Sequence, residues 1–255
     1  MDPSTPFDPV SMIIFSDPDL LVINKPAGLL SIQDGYDRSL PHLATILESI
    51  YGKVWIIHRL DKDTSGILLL GRNAETHRYF NEKFKDRSIN KTYHAFVLGH
   101  PDWNEKMIDL PLKTNADRLH RTRVNISQGK PAVTGFKVIN RYPDHTLLEC
   151  QLYTGYTHQI RAHLFELDLP ILGDMLYCQK FQRELLRSKF NFDRIALHAF
   201  SIGFEHPKIH QYLVFQAPYP LEFNTSGIHN AGWLRAIDDL AENTIFHELT
   251  PLCRV

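Results

Sequence analysis

The sequence predicts an α+β fold dominated by antiparallel strands, and three observations carry that prediction. Short apolar and β-branched runs recur at 12–15, 20–24, 54–57, 67–70, 91–99, 131–140 and 146–153, each bounded by turn-forming residues. Segments with helical spacing of apolar residues lie between them, at 39–52, 73–87 and 157–170. The chain has 255 residues, 43% hydrophobic and 22% charged, enough apolar material for one large core or two small ones. No apolar run reaches the ~18 residues of a membrane span, so no membrane association is expected.

Two strands open the chain at 12–15 and 20–24, broken at Asp17-Pro18-Asp19, and Lys25-Pro26-Ala27-Gly28 closes the second with a turn. Over 39–52 the spacing predicts a helix. Ser39 is placed to cap it, Pro41 falls in its first turn, Leu43, Ile46, Leu47 and Ile50 share a face, and Gly52 stops it. The runs 54–57 and 67–70 then read as two strands joined by a polar insert, His58 to Gly66. That insert would set His58, Arg59 and Asp61 at the rim of a sheet, although its Asp, Ser, Thr and Gly are also what an ordinary connection uses.

Asn73 is placed to cap a helix to about Arg87, with Tyr79, Phe80 and Phe84 inward. In 91–99 the alternation predicts a strand that carries Lys91 and Tyr93 on one face. From 109 to 130 apolar residues are few and no period is evident, which reads as a hairpin or an extended basic loop. Strands follow at 131–140 and 146–153, the second with Leu148, Cys150 and Leu152 on one side. Thr157 is placed to cap a helix whose Ile160, Leu164 and Leu167 face the core, with His158 and Arg161 sharing a neighbouring face. A last strand pair is expected within 194–207 and 211–217, and an amphipathic helix from about 232 to 242.

Cys150, Cys178 and Cys253 are odd in number and widely spaced, so neither a disulfide framework nor a zinc site is indicated, and a reducing cytoplasm fits. His158 and His163 are five residues apart with no carboxylate between them, which does not match the spacing of a helical zinc site, so no metal is expected. Net charge is only -1, yet 111–141 holds Lys113, Arg118, Arg121, Arg123, Lys130, Lys137 and Arg141 against the single acid Asp117. A basic face for phosphates on a nearly neutral molecule is the expectation, with a solvated loop as the plain alternative.

Several strings go further than their composition. HRLDKDTSG at 58–66 resembles the HRLD-x-x-TSG signature of the RluA-type pseudouridine synthases, which isomerise uridine in RNA to pseudouridine. DPDLLVINKPAGLLSI, KTYHAFVLG, GKPAVTGFKVIN, TGYTHQIRAHL and RIALHAFSIGFEHP resemble further segments of that family in the same order, over about residues 10 to 220. One position departs: Tyr156 stands where the family usually has arginine.

The resemblance implies a mixed, mostly antiparallel sheet in two subdomains with flanking helices and a central cleft. It implies a tail at 1–10, a catalytic domain at 11–220 and a partly helical extension at 221–255, without the S4 RNA-binding domain of many relatives. The reaction breaks the N1 to C1′ bond, turns the base and rejoins it through C5, and it requires no cofactor, redox partner or metal. By this resemblance Asp61 is the catalytic carboxylate, Arg161 its partner, and Tyr93 a stacking residue that could also take the C5 proton. Arg59 would fill the space of the flipped base, with His58 and Lys91 beside it. From charge density, Arg118, Arg121 and Arg123, with Lys113, would contact phosphates. The expected partner is a stem-loop of rRNA or tRNA, and the expected state a cytoplasmic monomer. An RNA-binding or RNA-folding module on the same fold, without catalysis, is the alternative.

Overall fold

The computed structural model describes residues 7–35, 37–179, 182–183 and 192–225. The chain begins with β1 (Ile13–Ser16) and β2 (Leu20–Lys25), then α1 (Leu43–Tyr51), β3 (Trp55–Ile56), β4 (Ser65–Gly71) and α2 (Ala74–Lys85). It continues with β5 (Asn90–Leu98), β6 (Glu105–Asp109), β7 (Leu112–Lys113), β8 (Arg123–Val124), β9 (Val133–Arg141) and β10 (His145–Leu152). After α3 (Gln159–Glu166) come β11 (Leu197–Glu205), β12 (Tyr212–Gln216) and the short α4 (Leu221–Thr225).

Ten strands form one sheet in the order β1-β2-β4-β11-β5-β10-β9-β6, with β3 also on β4 and β12 also on β11. All named pairings are antiparallel except β4 with β11, where His198 lies opposite Ser65 and Ala199 opposite Gly66. The N-terminal strands therefore build one side of the sheet and residues 90–152 the other, with the late strand β11 between them. The 109–130 segment holds the small β7–β8 hairpin, paired Leu112 to Val124 and Lys113 to Arg123.

Strand alternation explains how the sheet is covered on both faces. Leu21, Ile23, Leu68 and Leu70 enter the larger core, while Leu20, Val22, Ile67 and Leu69 enter a second one with Phe80 of α2. A third cluster, Leu112, Ala132, Ala162 and Tyr177, joins the β7–β8 hairpin to α3.

Two expected caps are corrected. The first helix starts at Leu43 with His42 at its N-cap, because the Ser39 hydroxyl is already bonded to Asp37 at 2.6 Å in the preceding turn. Ile50, expected inward, is 48% exposed in the last turn. The third helix is preceded by His158 in the left-handed region (φ 57°), not capped by Thr157. Asn73 caps α2 as read, accepting from the Thr76 N–H at 2.8 Å. Of its three inward aromatics Phe80 is buried, while Tyr79 and Phe84 are half-buried. The helix expected at 232–242 lies outside the described residues. No helix among the described residues is long and apolar enough to cross a membrane.

Candidate active site

The insert between β3 and β4 is held from several directions. Ser31 Oγ donates to Leu60 O at 2.9 Å and accepts from Leu60 N at 3.1 Å. Lys25 is fully buried, and its Nζ donates to the carbonyls of Pro26, Leu29 and Lys62 at 2.9, 2.8 and 3.0 Å. Burial pulls its pKa down to about 7, against the opposing pull of the Asp63 carboxylate. Arg194 reaches in from the strand side, donating to Asp63 O and Ser65 Oγ, each at 3.1 Å. At Gly66 (φ +112°) the β11 backbone comes so close that a Cβ would lie 2.2 Å from Ala199 O. Asp61 is thus placed by a braced backbone, and Thr64 N closes the turn onto Asp61 O at 3.1 Å.

Facing it is the start of α3. Arg161 donates to Asp61 Oδ2 at 3.1 Å through Nη1, and to Asp174 through Nε and Nη2 at 2.7 and 2.9 Å. The Asp174 side chain is 1% exposed and also accepts from the N–H groups of Leu176 and Tyr177 at 3.0 and 3.1 Å. Burial alone would lower the Arg161 pKa, but the two carboxylates raise it. The guanidinium also lies 4.8 Å over the Tyr177 ring. Arg161 is therefore fixed by a buried carboxylate and presents its remaining edge to Asp61.

His158 Nε2 stands 3.4 Å from Asp61 Oδ2, and its Nδ1 lies 3.1 Å from the Tyr177 hydroxyl. That hydroxyl accepts from Thr122 N at 2.6 Å, so its own proton is available to His158 Nδ1. The network then assigns the His158 proton to Nε2, directed at Asp61. Burial lowers the His158 pKa while Asp61 opposes that.

The cleft between these walls has a volume of about 500 Å³, and Arg59, Asp61, Lys91, Tyr93, Tyr156, His158 and Arg161 all line it. Tyr93 is 8% exposed, and its pKa is raised by burial and then by the Asp61 charge. A phenol held protonated suits stacking; acting as a base would require the phenolate that this site disfavours. Arg59 is exposed and spans the mouth, with Nη2 3.4 Å from Thr157 Oγ1. His58 accepts from Leu69 N at 3.1 Å and stacks on Phe84 with centroids 5.0 Å apart. Burial drives its pKa down to about 3, with Lys91 adding to the effect, so it is a neutral bracket for the loop that also lines the cleft.

The basic segment divides. Arg118 and Lys113 are exposed. Arg121 Nε is tied to Asp117 at 2.7 Å and its Nη1 donates to Leu176 O at 3.3 Å, while Arg123 lies 3.4 Å from Asp117 and 4.7 Å over the Phe165 ring. A count of charges could not show that Asp117 occupies two of these arginines. The sequence reading also left Lys25, His158, Asp174, Tyr177 and Arg194 without roles, although Lys25, His158 and Arg194 lie inside its quoted strings. Among the described residues no group of three His, Cys, Asp or Glu side chains could hold a metal ion.

A model of the RNA pseudouridylate synthase family matches residues 19–166. The ribosomal large subunit pseudouridine synthase D of Zymomonas mobilis is 38% identical over 220 residues, 82% of this chain and 69% of that protein. The dual-specificity RNA pseudouridine synthase RluA of Escherichia coli is 32% identical over 214 residues, 84% of this chain and 95% of that protein. Among solved structures, human RNA pseudouridylate synthase domain containing 1 superposes with a TM-score of 0.70 at 26% identity, covering 85% of this chain and 86% of that one.

Proposed function

The chain belongs to the RluA-type RNA pseudouridine synthases, isomerases acting on RNA, and we propose that it converts particular uridines of rRNA or tRNA stem-loops with Asp61 as the attacking carboxylate. The observation that carries this reading is the Asp61 carboxylate inside a cleft of about 500 Å³, bonded to Arg161 at 3.1 Å. Pockets of ~300–1,000 Å³ suit a small ligand such as one nucleotide.

Within this reading Asp61 attacks carbon in the flipped nucleotide or acts as a base at its sugar. Arg161 orients the carboxylate through its 3.1 Å bond, and Tyr93 stacks on the base as a neutral phenol. Flipping costs a few kcal/mol, and Arg59, exposed at the mouth, takes the vacated place in the RNA stack. His58 and Lys91 line the same wall, and Arg118, with Arg121 and Arg123 behind it, meets phosphates outside. The names of the Zymomonas and Escherichia proteins support ribosomal RNA and a dual-specificity role as the substrates to try first. The described cysteines, Cys150 and Cys178, are free and buried, which suits work in the cytoplasm, and a monomer presents all these groups.

The test is pseudouridine mapping on total RNA from a strain lacking the gene, after incubation with purified wild type or Asp61→Asn. A signal at one or a few sites with wild type alone is expected, with RNA binding by the variant within a few-fold. Turnover by Asp61→Asn would remove Asp61 from its role.

A further inference from the structure

Lys91 differs from the other cations buried in and behind the cleft wall; Arg59 and Lys62, which also line the cleft, are exposed to water. Lys25 is spent on three backbone carbonyls, Arg161 on two carboxylates, and Arg194 on Glu222 and the signature loop. The Lys91 ammonium lines the cleft and has no hydrogen-bond or ion-pair partner among the described residues. It lies 5.6 Å over the Phe84 ring of α2, and a Cβ on Gly155 of the opposite wall would come 3.2 Å from its Nζ. Gly155 therefore leaves the room that the ammonium occupies. On β5 it is two residues from Tyr93 and so on the same face.

A half-buried cation without a counter-charge is unfavourable for the free protein and is retained where a ligand supplies the anion. The anion that a flipped nucleotide brings is its phosphodiester. We propose that Lys91 binds a backbone phosphate of the flipped uridine itself, so that the target nucleotide is held by base, sugar and phosphate within one cleft. This rests on the synthase reading of the site and adds to it a phosphate subsite.

The surroundings agree. From the loop before β4 the group facing Lys91 is His58, driven neutral, and from the end of α2 it is Arg87, of like charge. Burial, then Arg87, brings the Lys91 pKa down to about 8. Binding a phosphate restores the charge, so affinity for the nucleotide falls by about tenfold from pH 7 to pH 9 as the free ammonium is lost.

Calorimetry with uridine 3′,5′-bisphosphate and with uridine, on the full chain, separates this from a general basic wall. Wild type and Lys91→Arg should prefer the bisphosphate by roughly tenfold, and Lys91→Gln should bind the two alike. The affinity of Lys91→Arg should also stay flat from pH 7 to 9. Lys91→Met should melt no lower than wild type, because it removes a desolvated charge, breaks no hydrogen bond or ion pair, and keeps an apolar chain against Phe84. Equal behaviour of wild type and Lys91→Gln, including no binding by either, overturns the proposal, and so does a clear drop in melting temperature for Lys91→Met. Failure of the synthase reading is seen separately, as absence of pseudouridine from wild-type reactions on total RNA.

Discussion

Two loops close on the start of α3, and they are held in opposite ways. Residues 58–66 are braced by buried donors and acceptors: Ser31, Lys25 and Arg194 all bond its backbone, and Gly66 locks its exit against β11. Residues 113–123 are pinned at buried Thr122, which bonds the Tyr177 hydroxyl and Thr157 O, but their outer part is shaped by half-exposed ion pairs around Asp117. Bonds shielded from water keep their strength, whereas exposed pairs weaken with salt. In the proposed reading the loop that carries Asp61 is thus fixed before RNA arrives, and the loop that carries Arg118 can be adjusted by the phosphates it meets.

The largest effect should come from Arg161→Ala. It leaves Asp174, 1% exposed, without its bidentate partner, and a loss of about 3 to 5 kcal/mol in urea unfolding is expected along with loss of turnover. A loss below ~1 kcal/mol would mean that the two backbone N–H groups on Asp174 suffice, and the comparison would lose its firmest anchor. Next is Gly66→Ala, whose methyl must displace the Ala199 backbone; about 3 kcal/mol is expected, with little change if β11 can slide away.

Acid should separate the two loops. His198 and His94 are fully buried, and burial lowers their pKa to about 4 and about 3. Both values lie below the unfolded ~6.5, so the unfolded chain binds more protons in between. Stability is therefore complete above ~6.5 and falls as the pH drops below it, by up to ~1.4 kcal/mol per pH unit for each histidine. His198 Nδ1 is 2.9 Å from Ser65 Oγ, so this loss strikes the braced loop first. Asp117 behaves otherwise. Burial pushes its pKa up, but the side-chain and backbone bonds from Arg121 and the Leu119 N–H hold it at about 2, so its ion pairs persist until well below pH 4. Denaturation midpoints measured from pH 7 to pH 4 should fall steadily, and by the same amount in Asp117→Asn. That substitution should have the smallest effect on the fold, and a few-fold weaker RNA binding is its expected signature. A stability loss as large as that of Gly66→Ala would erase the contrast between the loops.

How much of this was legible depended on the range of the contacts. The strands at β2 and β4 and the Asn73 cap were readable because each is decided by neighbours in sequence. The pairing of Asp61 with Arg161 was reached through the resemblance, since 100 residues separate the partners. The caps at Ser39 and Thr157 failed for different reasons. Ser39 had a closer acceptor in Asp37, and the backbone at His158 is left-handed, with its ring set between Asp61 and the Tyr177 hydroxyl. The role of Tyr177 was hidden because its contacts, Thr122, His158 and Arg161, come from three separate segments. In the basic stretch, charge counting could not show that Asp117 bonds both Arg121 and Arg123, because that pairing depends on how the loop folds.

The parallel pairing of β4 with β11 has a further meaning for how the protein is made. Ser65 meets a partner 133 residues later in the chain, and closing so long a loop is slow and entropically unfavourable until other strands have formed. A nascent chain emerging from the ribosome carries Asp61 early, with Ser31 and Lys25, but cannot complete its bracing until β11 and Arg194 have been synthesised. The expected result is that chains released before residue 205 show no activity, and that activity appears in one step once β11 is complete.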